Sequence, residues 1–107
     1  MNDLGEKIRL QRLTKRYSQE YMAFCLDISQ PAYSKIENGE TDLTIKRIYE
    51  IAEVLEVSPF IFLPKPKYGS AITMAWYKTL AKIRRIWSAT FRERLKERKE
   101  SYASKGH

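Results

Sequence analysis

Cysteine and histidine, two residue types that often perform catalysis or hold metals, each occur only once in this sequence. Its single cysteine is Cys25 and its single histidine is His107. One thiol can form neither an internal disulfide nor a paired-cysteine metal or redox site, and no basic residue adjoins Cys25 to lower its pKa. Because no nucleophile pair, metal-ligand cluster or phosphate loop is recognisable, we expect no catalytic residue, no metal and no cofactor. The chain is predicted not to be an enzyme, and Cys25 to be packed and inert.

Polar residues are instead concentrated at the starts of two short helices. Ser18 and Ser29 each precede a glutamine, and a serine there accepts a hydrogen bond from a backbone N–H of the first helical turn. Apolar residues flank both serines in the pattern of a hydrophobic staple. Pro31 falls in the first turn of the second helix, where backbone amides have no helical partner. Only residues 27–29 separate the two helices, so the turn between them is tight.

Apolar spacing, caps and one glycine predict that the chain is all-α. We expect helices over residues 4–13, from Gln19, from Gln30 to Glu37, and from Ile45 to Leu55 after a Thr44 cap, with a short fifth turn over 58–63. Two prolines and a glycine interrupt this pattern. We therefore predict a five-helix domain over residues 1–64, a linker over 65–70, and a tail over 71–107 that forms one long basic amphipathic helix.

Charge is distributed unevenly along the 107 residues, whose net charge is +7. Residues 1–64 hold eight basic and ten acidic side chains, a net charge of −2, so residues 65–107 carry +9. An acidic partner is expected from this balance. The first residues resemble no secretory signal and no apolar run is long enough to span a membrane, so a cytoplasmic location is expected.

Two short helices joined by a three-residue turn are the helix-turn-helix pattern, whose second helix enters the major groove of DNA. Particular residues make the pattern more specific. They are Ser18-Gln19-Glu20, Met22-Ala23, Ile28-Ser29-Gln30, Tyr33-Ser34-Lys35-Ile36-Glu37-Asn38-Gly39, and Ile51-Ala52 followed by Leu55. With these residues the chain closely resembles the lambda-repressor and Cro-like (XRE-type) family of regulators from Leu4 to about Leu63.

The resemblance implies two sets of DNA contacts. Phosphate contacts are expected at the helix ends, with Gln19 as the main clamp and Ser18, Asn38 and Lys46 beside it. Base contacts are expected on the third helix, at Gln30, Pro31, Ser34 and Lys35. The chemistry suits this role, because glutamine can pair with adenine, lysine can donate to guanine and proline can touch a thymine methyl.

The resemblance also implies a structural ion pair between Arg12 and Glu37, which would hold the first helix against the third. Two departures from the family pattern are visible. Asp27 stands where the family has glycine, and aspartate tolerates a left-handed backbone better than most residues. Phe24 and Cys25 stand where the family has polar surface residues.

An apolar stripe runs along the predicted tail helix. We expect it to pack on its own domain or on the same helix of a second subunit, while a protein partner or an anionic membrane surface is less favoured. If it joins two subunits, a chain truncated after Pro66 is expected to remain a folded monomer. The stripe consists of Ile72, Trp76, Leu80, Ile83, Trp87, Phe91 and Leu95.

These features predict a sequence-specific regulator that binds double-stranded DNA, as a homodimer on a palindromic operator. One alternative is the antitoxin of a toxin–antitoxin pair, whose tail would bind the toxin. A second alternative is a DNA-binding protein tethered to a membrane surface.

Overall fold

The computed structural model describes residues 3–63 and 71–105, and in residues 71–90 it describes few side chains. Within these ranges all regular structure is helical, which confirms the predicted all-α class. The elements are α1 (Asp3–Thr14), α2 (Gln19–Leu26), α3 (Gln30–Glu37), α4 (Ile45–Leu55), a 3₁₀ turn (Pro59–Ile61) and α5 (Ala71–Ser104).

Side-chain caps define the starts of α2, α3 and α4. Ser18, Ser29 and Thr44 lie on extended backbone. Each accepts a hydrogen bond from the backbone N–H three residues later, at 2.9, 3.2 and 3.1 Å respectively. Each cap satisfies one of the N–H groups that a helix leaves without a partner at its start. The three predicted helix starts are confirmed.

Left-handed backbone ends α2 and follows α3. Asp27 has φ 60° and ψ 43°, and its N–H donates to the carbonyls of the last turn of α2. Gly39, beyond the end of α3, has φ 77°. Aspartate costs more than glycine in this conformation, but the three-residue turn is preserved. Asp27 therefore takes a left-handed conformation at the position where the family has glycine.

The core lies between α2, α3 and α4, and α1 contributes Ile8 to it. Tyr33, Tyr49 and Met22 are among its largest fully buried side chains. A single cluster of apolar side chains thus fixes both helices of the helix-turn-helix motif against the rest of the fold.

Gly5 lets α1 approach the end of α3 closely. A Cβ at this position would lie 2.5 Å from the carbonyl oxygen of Glu37 and 2.8 Å from that of Ile36. Both distances are shorter than van der Waals contact, and both involve backbone, which cannot rotate away. No local sequence signal predicts this requirement, because it arises from a contact between residues more than thirty positions apart.

The second half of α5 belongs to the same core as α1 to α4. Phe91 and Leu95 are only 6% exposed and join the buried cluster, and α5 contacts α2 and α4. The sequence left open whether the apolar stripe packs on its own domain or on a second subunit. Phe91 and Leu95 pack on their own domain and are not available to a second subunit. The side chains of Ile72, Trp76, Leu80, Ile83 and Trp87, and the predicted linker over 65–70, lie outside the described residues.

Basic side chains of α5 hold this helix against α2 and α4. Arg92 makes two hydrogen bonds of 3.0 Å to the carboxylate of Glu53. Arg98 donates to the carbonyl of Phe24 at 3.0 Å, and Lys99 donates to that of Val54 at 3.2 Å. Both carbonyls lie in the last turn of a helix, where a positive charge is favourable.

Packing of α5 on α2 explains why apolar residues replace polar ones there. The Tyr102 ring lies 5.0 Å from that of Tyr21 and 5.4 Å from that of Phe24, measured between centroids. Cys25 is 1% exposed, and burial raises the pKa of its thiol. The prediction that Cys25 is packed is confirmed. Phe24 and Cys25 therefore form the face of α2 that α5 covers.

Candidate nucleic-acid interface

The outer face of α3 carries the four residues predicted to contact bases. Tyr33 and Ile36 point into the core and leave the opposite side of the helix at the surface. On that side the predicted residues Gln30, Pro31 and Lys35 are exposed, and Ser34 is half-buried. Residues four apart share a helix face, so 30 and 34, and likewise 31 and 35, are neighbours. The structure thus groups the predicted base-reading set on one surface, and its contact with bases stays a prediction.

The residues predicted to contact phosphate lie at helix ends around this surface. Ser18 and Gln19 are at the start of α2, Asn38 ends α3, and Lys46 is in the first turn of α4. Three of the four are exposed, and Gln19 is half-buried. The Ser18 hydroxyl oxygen also accepts the capping hydrogen bond of α2. Its hydroxyl proton can at the same time be donated to a phosphate oxygen. Phosphate contact by these residues stays a prediction.

A buried ion pair joins α1 to the last residue of α3. Arg12 Nε and Nη2 donate to the two carboxylate oxygens of Glu37 at 2.6 and 3.2 Å, and Nη1 donates to the carbonyl of Tyr17 at 2.8 Å. The two side chains are 10% and 2% exposed. The Arg12–Glu37 pair expected from the sequence is present, and it connects α1, the start of α2 and the end of α3.

The same contacts set the protonation of Glu37. Burial alone would raise the pKa of its carboxyl, but the hydrogen bonds from Arg12 and other neighbours outweigh burial, and the pKa is lowered. The hydrogen bond to Glu37 likewise raises the pKa of Arg12. Both groups are therefore charged near neutral pH, and their attraction offsets the cost of removing them from water.

Gln19 is held by this ion pair. Its Nε2 donates a hydrogen bond of 3.1 Å to Oε1 of Glu37. A carboxylate only accepts hydrogen bonds, so the contact requires the nitrogen end of the amide to face Glu37. The second N–H of that nitrogen can then donate to a phosphate oxygen. Sequence analysis identified Gln19 and Glu37 separately, without this contact between them.

Arg47 connects the end of α2 to the start of α4, and sequence analysis did not single it out. Its Nη1 donates to the carbonyl of Leu26 at 3.3 Å and lies 3.0 Å from Oε1 of Glu50. These contacts fix the first turn of α4, which holds Lys46, beside the turn of the helix-turn-helix motif. No local sequence signal distinguishes Arg47 from other surface arginines.

Among residues 3–63 and 71–105, no group of three or more His, Cys, Asp or Glu side chains is placed to hold a metal ion. In the same ranges, no helix combines the length and apolarity needed to cross a membrane.

Comparison with known proteins identifies the class. A family model described as Helix-turn-helix matches residues 8–62, so the chain belongs to the helix-turn-helix family, of the Cro/C1 type expected from its residues. Members of this family are non-enzymatic DNA-binding regulators, which agrees with the expectation that the chain is not an enzyme. No solved structure matches the chain.

Two curated relatives share this segment. The chain is 34% identical over 56 residues to the HTH-type transcriptional regulator DicA of Escherichia coli (strain K12), which covers 52% of this chain and 42% of that protein. It is 35% identical over 54 residues to an SPbeta prophage-derived uncharacterized HTH-type transcriptional regulator, YonR of Bacillus subtilis (strain 168), covering 50% of each. The chain thus spans about half the length of the curated relatives it matches.

Proposed function

We propose that this chain is a transcriptional regulator that recognises a specific sequence of double-stranded DNA through α3. The observation that carries the proposal is the outer face of α3, where Gln30, Ser34 and Lys35 lie together at the surface. These side chains offer donors and acceptors that match base edges in the major groove. The buried Arg12–Glu37 pair supports the role, because it holds the helix that carries them in one orientation.

The regulator acts as a homodimer on a nearly palindromic operator. One recognition helix reads only a few base pairs, and two-fold related copies read half-sites about 34 Å apart, one turn of duplex. Because Phe91 and Leu95 are used within the fold, we place the two-fold contact in the earlier part of α5. The sequence there keeps apolar residues at helical spacing, among them Trp76, Leu80 and Trp87. With DNA as its partner, the protein works in the cytoplasm.

Selection from a randomised pool of duplexes tests this function directly. Duplexes of about 30 base pairs are long enough for two half-sites one helical turn apart. We expect enrichment of a sequence with two-fold symmetry, bound by two copies of the chain as measured by light scattering of the complex. If the selection enriches no sequence, and the chain binds the recovered duplexes no better than a scrambled one, the proposal is contradicted. Enrichment of one half-site bound by one copy would contradict the dimer alone.

A further inference from the structure

Basic side chains of α4 and α5 line one surface pocket, and no residue of the recognition helix α3 lines it. The pocket has a volume of about 210 Å³, and its lining includes Lys46 and Arg47 of α4 and Arg94 and Arg98 of α5. Two acidic side chains, Asp27 and Glu50, also line it. Four positive charges against two negative ones give this pocket a net positive charge, which favours an anionic ligand.

Arg98 and Arg47 are engaged in holding the fold. Arg98 donates to the carbonyl of Phe24 and lies 3.2 Å from the Asp27 carboxylate. Arg47 contacts Leu26 and Glu50 as described above. Arg94, by contrast, is exposed and makes none of the contacts that fix Arg92 and Arg98 on the same helix. Arg94 therefore lines the pocket without the contacts by which its neighbours attach α5.

The pocket shares one lining residue with a groove beside α3. Arg47 lines it and also lines a groove of about 470 Å³ that runs beside α3, where Ser29 and Lys35 are found. Lys35, Lys46, Arg47 and Arg94 therefore lie along the linings of the groove and the pocket and define a basic surface from α3 to α5, although Asp42 also lines the groove. The start of α4 adds backbone N–H groups, which favour an anion at a helix N-terminus.

We propose that Arg94 binds the phosphate backbone of duplex DNA beside the segment read by α3. This inference rests on the proposed DNA-binding function and assigns α5 a direct part in it. The duplex is the expected partner because the basic surface continues from the recognition helix itself. Guanidinium groups bind phosphate oxygens with two parallel hydrogen bonds. Residues 1–64 have a net charge of −2, so phosphate contacts from α5 supply attraction that the motif itself lacks.

Arg94→Gln and Lys96→Gln in the full-length chain form a matched pair. Both residues are exposed on α5, and each substitution removes one positive charge. Positions two apart lie on opposite sides of a helix, and Lys96 lines a separate pocket with Glu53, Glu56 and Glu100. Affinity is measured across a salt series for the duplex selected above and for a scrambled one. For Arg94→Gln, the fall of log K with log salt should become shallower by about 0.9, equally on both duplexes.

Lys96→Gln should leave the slope unchanged, and Arg94→Lys, which keeps the charge, should restore it. Thermal unfolding of each variant establishes that the fold is intact. Equal effects of Arg94→Gln and Lys96→Gln, with selective binding by the wild type retained, would overturn this inference and leave the proposed function standing. A wild-type chain that binds neither duplex would overturn both.

Discussion

Gln19 donates a hydrogen bond to the carboxylate of Glu37, so the first residue of α2 is tied to the last residue of α3. The same oxygen, Oε1, also accepts from Arg12 at 3.2 Å. The residue predicted to clamp a phosphate is thereby oriented by an ion pair of the core. The Glu37 carboxylate only accepts hydrogen bonds, so it fixes the orientation of the Gln19 amide before DNA binds. The Gln19 side chain then has less conformational freedom to lose on binding.

Gln19→Ala should weaken binding to all duplexes by the same factor. Phosphate contacts position the protein and carry no base information, and an uncharged amide releases no counterion, so the salt slope should not change. Affinities for the selected and the scrambled duplex across a salt series measure both effects. Gln30→Ala is the matched control, because it should weaken binding to the selected duplex alone. A loss confined to the selected duplex would show that Gln19 is not a phosphate clamp.

Lys35→Ala should lower affinity for the selected duplex by about 1–3 kcal/mol and relax preference at one base pair, because it removes a contact to a base edge. Repeating the selection with the variant identifies the relaxed position. Equal losses on selected and scrambled duplexes would instead assign Lys35 to the phosphate backbone.

Glu37→Gln should make stability less dependent on pH in acid. The pKa of Glu37 is lowered from 4.5 by folding, so its carboxylate stabilises the fold fully above the unfolded-state pKa. That contribution is lost as pH falls through the lower folded-state pKa. Glutamine resembles the protonated acid, so the wild type should be the more stable chain at neutral pH, and the difference should close in acid. Chemical unfolding at several pH values measures the difference, and a gap that stays constant below pH 4.5 would contradict this assignment.

Gly5→Ala should destabilise the fold by about 1–3 kcal/mol, as expected for overpacking. The added Cβ would meet the backbone carbonyls at the end of α3, so α1 must shift away from the recognition helix. Leu13→Ala is a control on the same helix, because Leu13 is 51% exposed and should change stability by less than about 0.5 kcal/mol. Equal thermal midpoints for wild type and Gly5→Ala would show that α1 moves without cost.

Local sequence signals predicted most of the helix-turn-helix motif, whereas contacts between residues far apart in the chain could not be predicted from them. Serine caps and Gly39 act within one helical turn, so the bounds of α2 and α3 could be predicted from neighbouring residues. Asp27 was recognised as an unusual residue in the turn, and its left-handed backbone agrees. Phe24 and Cys25 were visible as anomalies. Their explanation required α5, in which Tyr102 lies more than seventy positions away and meets Phe24 only in the folded chain.

The division of the chain after residue 64 illustrates the same limit. Prolines and a glycine predict that the helical pattern is interrupted there. The apolar stripe on α5 could pack either on its own domain or on another molecule. Periodicity shows that a face is apolar but does not identify what covers it. In the structure, Phe91 and Leu95 complete the core on α2 and α4. The expectation that a chain truncated after Pro66 remains a folded monomer applied to a stripe that joins two subunits, and it stays a prediction.

Leu95→Ala tests whether α5 completes the core. Leu95 is 6% exposed, and its truncation should cost about 2–5 kcal/mol, as for other large-to-small changes in a core. Leu10→Ala, at a residue 54% exposed, is the control and should have little effect. A chain ending at Pro66 loses Leu95 together with Phe91 and the contacts of Arg98, so it should unfold at a lower temperature than the full chain. If instead the full chain, the Leu95 variant and the truncated chain unfold at the same temperature, α5 is a separate appendage.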